Sequence, residues 1–191
     1  AALLDAGGGL TKLGAGGLTL SANNTYAGAT IVSNGTLLVS GSISNSAATV
    51  KTGATLGGAG PIGGPVTVEA GGTLAPGTNS SGGLNVLMVH NPLTLSAGST
   101  AVMKITKTGS IPICNQVFGP ATVNYGGTLV VLTNAGMTPL ALGDTFELFP
   151  AAAHFGVFAS SNLPPLAAGL AWDTSGLSTS GGSIKVVVGV S

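Results

Sequence analysis

Gly53-Ala54-Thr55-Leu56-Gly57-Gly58 and, eighteen positions on, Gly71-Gly72-Thr73-Leu74-Ala75-Pro76 repeat one phrase: a glycine, a small residue and the pair Thr-Leu. Outward from this pair, the same spacing links Gly17, Gly35, Gly53 and Gly71, then Leu20, Leu38, Leu56 and Leu74, then Val32, Val50 and Val68. Tyr26, Ser44 and Ile62 form a further set at that period, so a mostly apolar position returns every six residues from Leu20 to Leu74. Columns that share one register at a fixed period mark a repeat architecture. A 3.6-residue period is missing, and each glycine inside a helix would cost about 1 kcal/mol, so the repeating unit is built from strands.

The six-residue recurrence divides a coil of about 18 residues into three sides. Each side reads as a short strand with alternating inward and outward residues, as in Leu18-Thr19-Leu20-Ser21 and Val66-Thr67-Val68-Glu69. Glycine, Asn and Ser supply the corner conformations. Stacking the coils turns each column into a ladder, with Leu and Val filling a narrow core and Thr19, Thr55 and Thr73 facing outward, where β-branching suits a strand. The predicted fold is all-β, a parallel β-helix (β-solenoid). From about residue 77 the period fails, and seven of the eight aromatic residues lie beyond residue 117: Phe118, Tyr125, Phe146, Phe149, Phe155, Phe158 and Trp172. Such side chains need a larger cross-section. The chain is therefore divided into a regular solenoid over 1–98 and a wider, irregular all-β part over 99–191, continuous with the first.

Composition narrows the function classes. Of 191 residues 33 are glycine, 44% are hydrophobic and 5% are charged, against roughly 25% charged in an ordinary soluble domain. Disorder pairs low hydrophobicity with high net charge, whereas here net charge is zero and mean hydropathy is +0.57. Apolar runs are too short for a membrane-spanning helix, which needs about 18 residues. Ala1-Ala2-Leu3-Leu4-Asp5-Ala6 lacks the basic and apolar regions of a signal peptide, so a mature, processed chain is expected. With five Lys and no Arg there is no basic stripe to neutralise phosphates, and nucleic acid is not an expected partner.

Residues capable of chemistry are sparse. The carboxylates Asp5, Glu69, Asp144, Glu147 and Asp173 share no column, which argues against the paired carboxylates of a glycan-cleaving enzyme. Asp144 is expected to open a strand from a turn, and Glu147 to face solvent on a strand that buries Phe146 and Leu148. His90 and His154 lack closely spaced partners for a metal. The single Cys114 excludes an internal disulfide and reads as a small buried residue, with an intermolecular disulfide as the alternative. No catalytic residue, metal or cofactor is expected.

Gly9-Leu10-Thr11-Lys12-Leu13-Gly14-Ala15-Gly16-Gly17-Leu18-Thr19-Leu20-Ser21, followed by Asn24-Thr25-Tyr26-Ala27-Gly28-Ala29-Thr30, resembles the passenger-associated strand repeat of bacterial autotransporters. The resemblance runs on through Gly35-Thr36-Leu37-Leu38-Val39 and covers about the first 77 residues. Leu142-Gly143-Asp144-Thr145-Phe146-Glu147-Leu148-Phe149 with Gly169-Leu170-Ala171-Trp172-Asp173-Thr174 looks like the closing segment that follows such repeats. What the resemblance implies is a right-handed β-helix exported to the bacterial surface or beyond, with no shared catalytic residues. Both ends of the coil stack read as uncapped. Leu3, Leu4 and Leu10 at one end and Ile184, Val186, Val188 and Val190 at the other are the candidate self-association residues. The expected role is a secreted structural protein joining copies of itself head to tail into a fibre or surface matrix. The alternative is an adhesin or passenger fragment binding glycans or cell surfaces through its lateral face, and a polysaccharide-active enzyme is the remote one.

Overall fold

Val32, Val50 and Val68 stand in one ladder, paired in parallel through Val32↔Val50 and Val50↔Val68, all without solvent exposure. The computed structural model describes residues 3–4, 7–77, 85–179 and 181–189. The valines belong to the first of three faces, a seven-stranded parallel sheet running Leu10–Lys12, Thr30–Val32, Ala48–Val50, Val66–Val68, Leu93–Leu95, Thr122–Tyr125 and Ala153–Gly156. The second face stacks Gly17–Leu20, Gly35–Val39, Ala54–Gly58, Thr73–Pro76, Thr100–Thr108, Thr128–Thr133 and Ser160–Asn162 in parallel order. The third face is made of short pairings, Asn24↔Ile43, Ile43↔Ile62 and Ile62↔Val89, then Val86–Met88 against Gln116–Phe118. This is the parallel β-solenoid that the periodicity predicts. No helix among the described residues is long and apolar enough to cross a membrane.

Two of the four predicted columns sit differently. On the second face Leu18↔Leu37, Leu37↔Leu56 and Leu56↔Leu74 form the inward ladder, while Leu20 pairs with Val39 and Leu38 faces outward over Gly57. The cause is the corner between the first two faces. Val50 to Thr55 and Val68 to Thr73 each span five positions, whereas Val32 to the equivalent Thr36 spans four, which slips one strand by one residue. Because side chains alternate, a one-residue slip exchanges the buried and exposed sets. On the third face the inward column is Asn24, Ile43, Ile62 and Val89, and Ser44 is exposed. The glycine column is real at Gly35, Gly53 and Gly71, each with φ between 67° and 75° at that corner, but Gly17 opens a strand.

The predicted hydroxyl ladder also shifts by the same slip. Thr36, Thr55, Thr73, Thr100 and Thr128 point outward in one column that ends at Ser160, whereas Thr19 stands beside Leu38 in the next. Coils lengthen along the chain: Ala48 pairs with Val66, but Val66 pairs with Leu93 and Val123 with His154. Most of the added chain enters between the second and third faces. There Thr100–Thr108 runs for nine residues, burying Ala101, Met103, Ile105 and Lys107 in alternation, and folds back as a hairpin onto Ile111–Cys114.

At the far end of the stack the topology changes. Thr145–Glu147, Ser183–Val188 and Leu170–Asp173 form an antiparallel sheet with Ser183–Val188 in the middle, joined by a 3-10 turn at Ser175–Ser178. Phe146 and Ile184 pair within it, both about 1% exposed, and Trp172 packs on Phe146 with ring centroids 6.1 Å apart. This sheet caps the aromatic end of the core.

Candidate functional site

The residues expected to join copies are not equivalent in the structure. The Leu3 backbone is tied to the third face, its N–H donating to Asn24 Oδ1 at 2.9 Å and its carbonyl accepting from Thr25 N–H at 3.0 Å, while the side chains of Leu3 and Leu4 are both exposed. Leu10 is half-buried in the first strand of the first face. At the other end, Ile184 and Val186 are inside the cap core, in a strand paired along both edges. They cannot continue a neighbour's ladder, because each has its own antiparallel partner, Phe146 and Trp172 respectively. Val188 is exposed, and Val190 lies outside the described residues. Leu10 and Ile184 therefore belong to opposite ends of the stack.

Charged groups are mostly engaged in building the fold. Lys107 donates to Asp144 Oδ2 at 2.8 Å with both side chains under 10% exposed, and the same oxygen accepts from Ala141 N–H. This pair fastens the hairpin to the start of the cap, a role for Asp144 beyond opening a strand. Lys51 and Glu69 meet at 2.6 Å on the surface, and Lys12 gives its protons to the carbonyls of Leu13, Gly14 and Asn34. Asp173 accepts from the Ser175 hydroxyl and from Ser175 N–H, bonds that hold its carboxyl below the usual range. Glu147 is exposed between buried Phe146 and Leu148, as the alternation predicts. Asp5 lies outside the described residues.

Cys114 is half-buried, its thiol donating to Glu147 O at 3.2 Å, and burial pushes its pKa up to about 12, with the Glu147 charge adding in the same direction. Such a thiol is a poor nucleophile. Among the described residues no three His, Cys, Asp or Glu side chains gather as metal ligands.

The densest chemistry is aromatic and lies where the last coil meets the cap. Tyr125 touches Phe149 edge-on at 5.5 Å, Phe158 at 4.7 Å and His154 in a stacked arrangement at 5.7 Å. Its hydroxyl and His154 Nδ1 are hydrogen-bonded at 2.9 Å, and burial raises the Tyr125 pKa. His154 Nε2 is buried without a partner among the described residues. Beside this cluster opens a cavity of about 270 Å³, walled by Tyr125, Phe158 and Ser161 from the last coils and by Thr174, Ser175, Leu177 and Ser178 from the cap turn. The aromatic bias beyond residue 117 was the only sequence signal for it, because the hydroxyl wall comes from a turn that no repeat announces.

The fold thus defines a three-faced β-solenoid closed by an antiparallel cap, with a cavity at the junction. Residues 10–39 match the family model of the passenger-associated-transport-repeat, the repeat of autotransporter passengers. The match takes in the strands Leu10–Lys12, Gly17–Leu20, Thr30–Val32 and Gly35–Val39, the first of the stacked coils. It is the same stretch whose motif carries the resemblance in the sequence. No curated protein matches the chain.

Proposed function

We propose that this chain is a structural segment of a bacterial surface or secreted protein of autotransporter-passenger type, a rigid non-catalytic shaft. The observation that carries the reading is the pair of unbroken parallel ladders, seven strands deep on both main faces. At ~4.8 Å per rung they make a stiff rod about 29 Å long. Its outer surface supports the same reading: the column Thr36, Thr55, Thr73, Thr100 and Thr128 offers hydroxyls and methyls rather than clustered acids or bases. Such a surface holds the chain extended and soluble without committing any face to catalysis.

Head-to-tail polymerisation through both termini finds less support, since the cap buries Ile184 and Val186 and leaves Leu3, Leu4 and Val188 as the exposed members of that set among the described residues. Antibody labelling of intact producing cells, with protease shaving of the same cells, tests the proposal. Labelling and shaving without lysis is the expected result, and a chain reached only after lysis would overturn it.

A further inference from the structure

We infer that the cavity between the last coil and the cap binds one pyranose ring of a neutral saccharide. Its volume of about 270 Å³ lies just below the ~300–1,000 Å³ of sites for drug-sized molecules, which suits a one-ring ligand. Its two walls differ in chemistry. Tyr125 and Phe158 present an aromatic surface, held in place by Phe149 behind both rings and by the Tyr125–His154 hydrogen bond. The hydroxyl-bearing residues Ser161, Thr174, Ser175 and Ser178 complete much of the lining. Ser178 Oγ donates to Ser175 O at 2.9 Å and the Ser175 hydroxyl is bonded to the Asp173 carboxylate, whereas the side-chain hydroxyls of Ser161 and Thr174 have no protein partner among the described residues.

A pyranose matches both walls at once, setting its C–H face on the rings and its hydroxyls against the rim. A purely apolar ligand would strip water from the rim hydroxyls and give no hydrogen bond in return. Ionic ligands fit worse. No charged side chain lines the cavity, and the neighbouring charge is the Asp173 carboxylate, which repels anions. The proposal concerns the end of the solenoid, not its lateral faces, and it does not rest on the passenger reading.

The test is saturation-transfer NMR on the purified chain with methyl β-D-glucopyranoside, methyl β-D-galactopyranoside and N-acetyl-D-glucosamine, with indole as the apolar comparator. At least one sugar is expected to bind with a Kd of about 1 mM, the affinity typical of so small a ligand, and to receive saturation mainly on its ring C–H protons. Leu177→Trp fills the cavity from the cap and Ser161→Tyr fills it from the coil. Each should weaken binding at least tenfold with an unchanged circular-dichroism spectrum. Because Ser161 is exposed, its variant folds even if the cap tolerates Trp poorly. Absence of binding by all three sugars, binding of indole instead, or sugar binding unchanged in the folded variants overturns the inference. None of these outcomes alters where the chain is found on cells.

Discussion

Leu37 and Leu38 are adjacent and chemically identical, yet the register assigns them opposite fates, which makes truncating each in turn a direct test of the fold. Leu37 is fully buried between Leu18 and Leu56 in the second-face ladder. Cutting it to Ala removes buried carbons from a ladder whose backbone spacing is fixed by hydrogen bonds, so the site cannot collapse. The expected loss is about 3 kcal/mol, within the 2–5 found for such truncations. Leu38 points from the outer side of the sheet with its side chain over Gly57, half-buried, and Leu38→Ala should cost about 1 kcal/mol or less. For a chain of this length each kcal/mol moves the midpoint by roughly 2–4 °C, so Leu37→Ala should melt about 6–12 °C lower and Leu38→Ala within about 4 °C of the parent. Thermal melts followed by circular dichroism, with urea titrations on the same samples, give the comparison. Both residues belong to one coil, so fraying of that coil affects them alike. Equal losses, or a larger loss for Leu38→Ala, would refute the one-residue slip and restore Leu38 to the core.

Lys107→Met strands the Asp144 carboxylate in a nearly dry site and should lower urea stability by about 3–5 kcal/mol, whereas Lys107→Met with Asp144→Leu should recover most of it. A double variant no more stable than Lys107→Met would show that the ion pair is not what holds hairpin to cap. Cys114 should resist iodoacetamide at pH 8 in the folded protein and react quickly in urea, because its folded pKa of about 12 keeps the thiol protonated; equal rates would contradict its burial. The folded state holds the Cys114 and Tyr125 protons more tightly than the unfolded chain. Their contribution is therefore complete below about pH 9, where the free thiol begins to ionise, and is lost as pH rises toward 12. Urea midpoints that stay flat from pH 8 to 11 would count against it. Gly63→Ala should prevent tight stacking of the third face, since a Cβ there would collide with the Ser44 carbonyl; a parent-like melt would rule that approach out.

How far the sequence could be read follows from which constraints are local. The valine ladder and the positive-φ glycines at one corner were legible because each coil meets the same steric demand at the same place: an inward β-branched residue, then a turn only glycine adopts without strain. The Leu columns were misread for a physical reason. A period of 18 and a slip of one residue both present leucine, since Leu37 and Leu38 are neighbours, and only pairing decides which faces inward. Past residue 77 the coil no longer constrains length, because a corner can absorb a whole hairpin without disturbing the ladders on either side. The cap was invisible for a related reason. Ser183–Val188 has the alternation of any buried strand, and alternation is silent about whether the partner runs parallel, as in a further coil, or antiparallel, as Phe146 and Trp172 do. The Lys107–Asp144 pair joins residues 37 positions apart, and the cavity joins Tyr125 and the corner at 156–158 to the turn at Ser175–Ser178. Both are products of where the coils stop, and stopping is a tertiary event. Periodicity therefore reveals the shaft, while the chemistry at its end exists only once the shaft has folded.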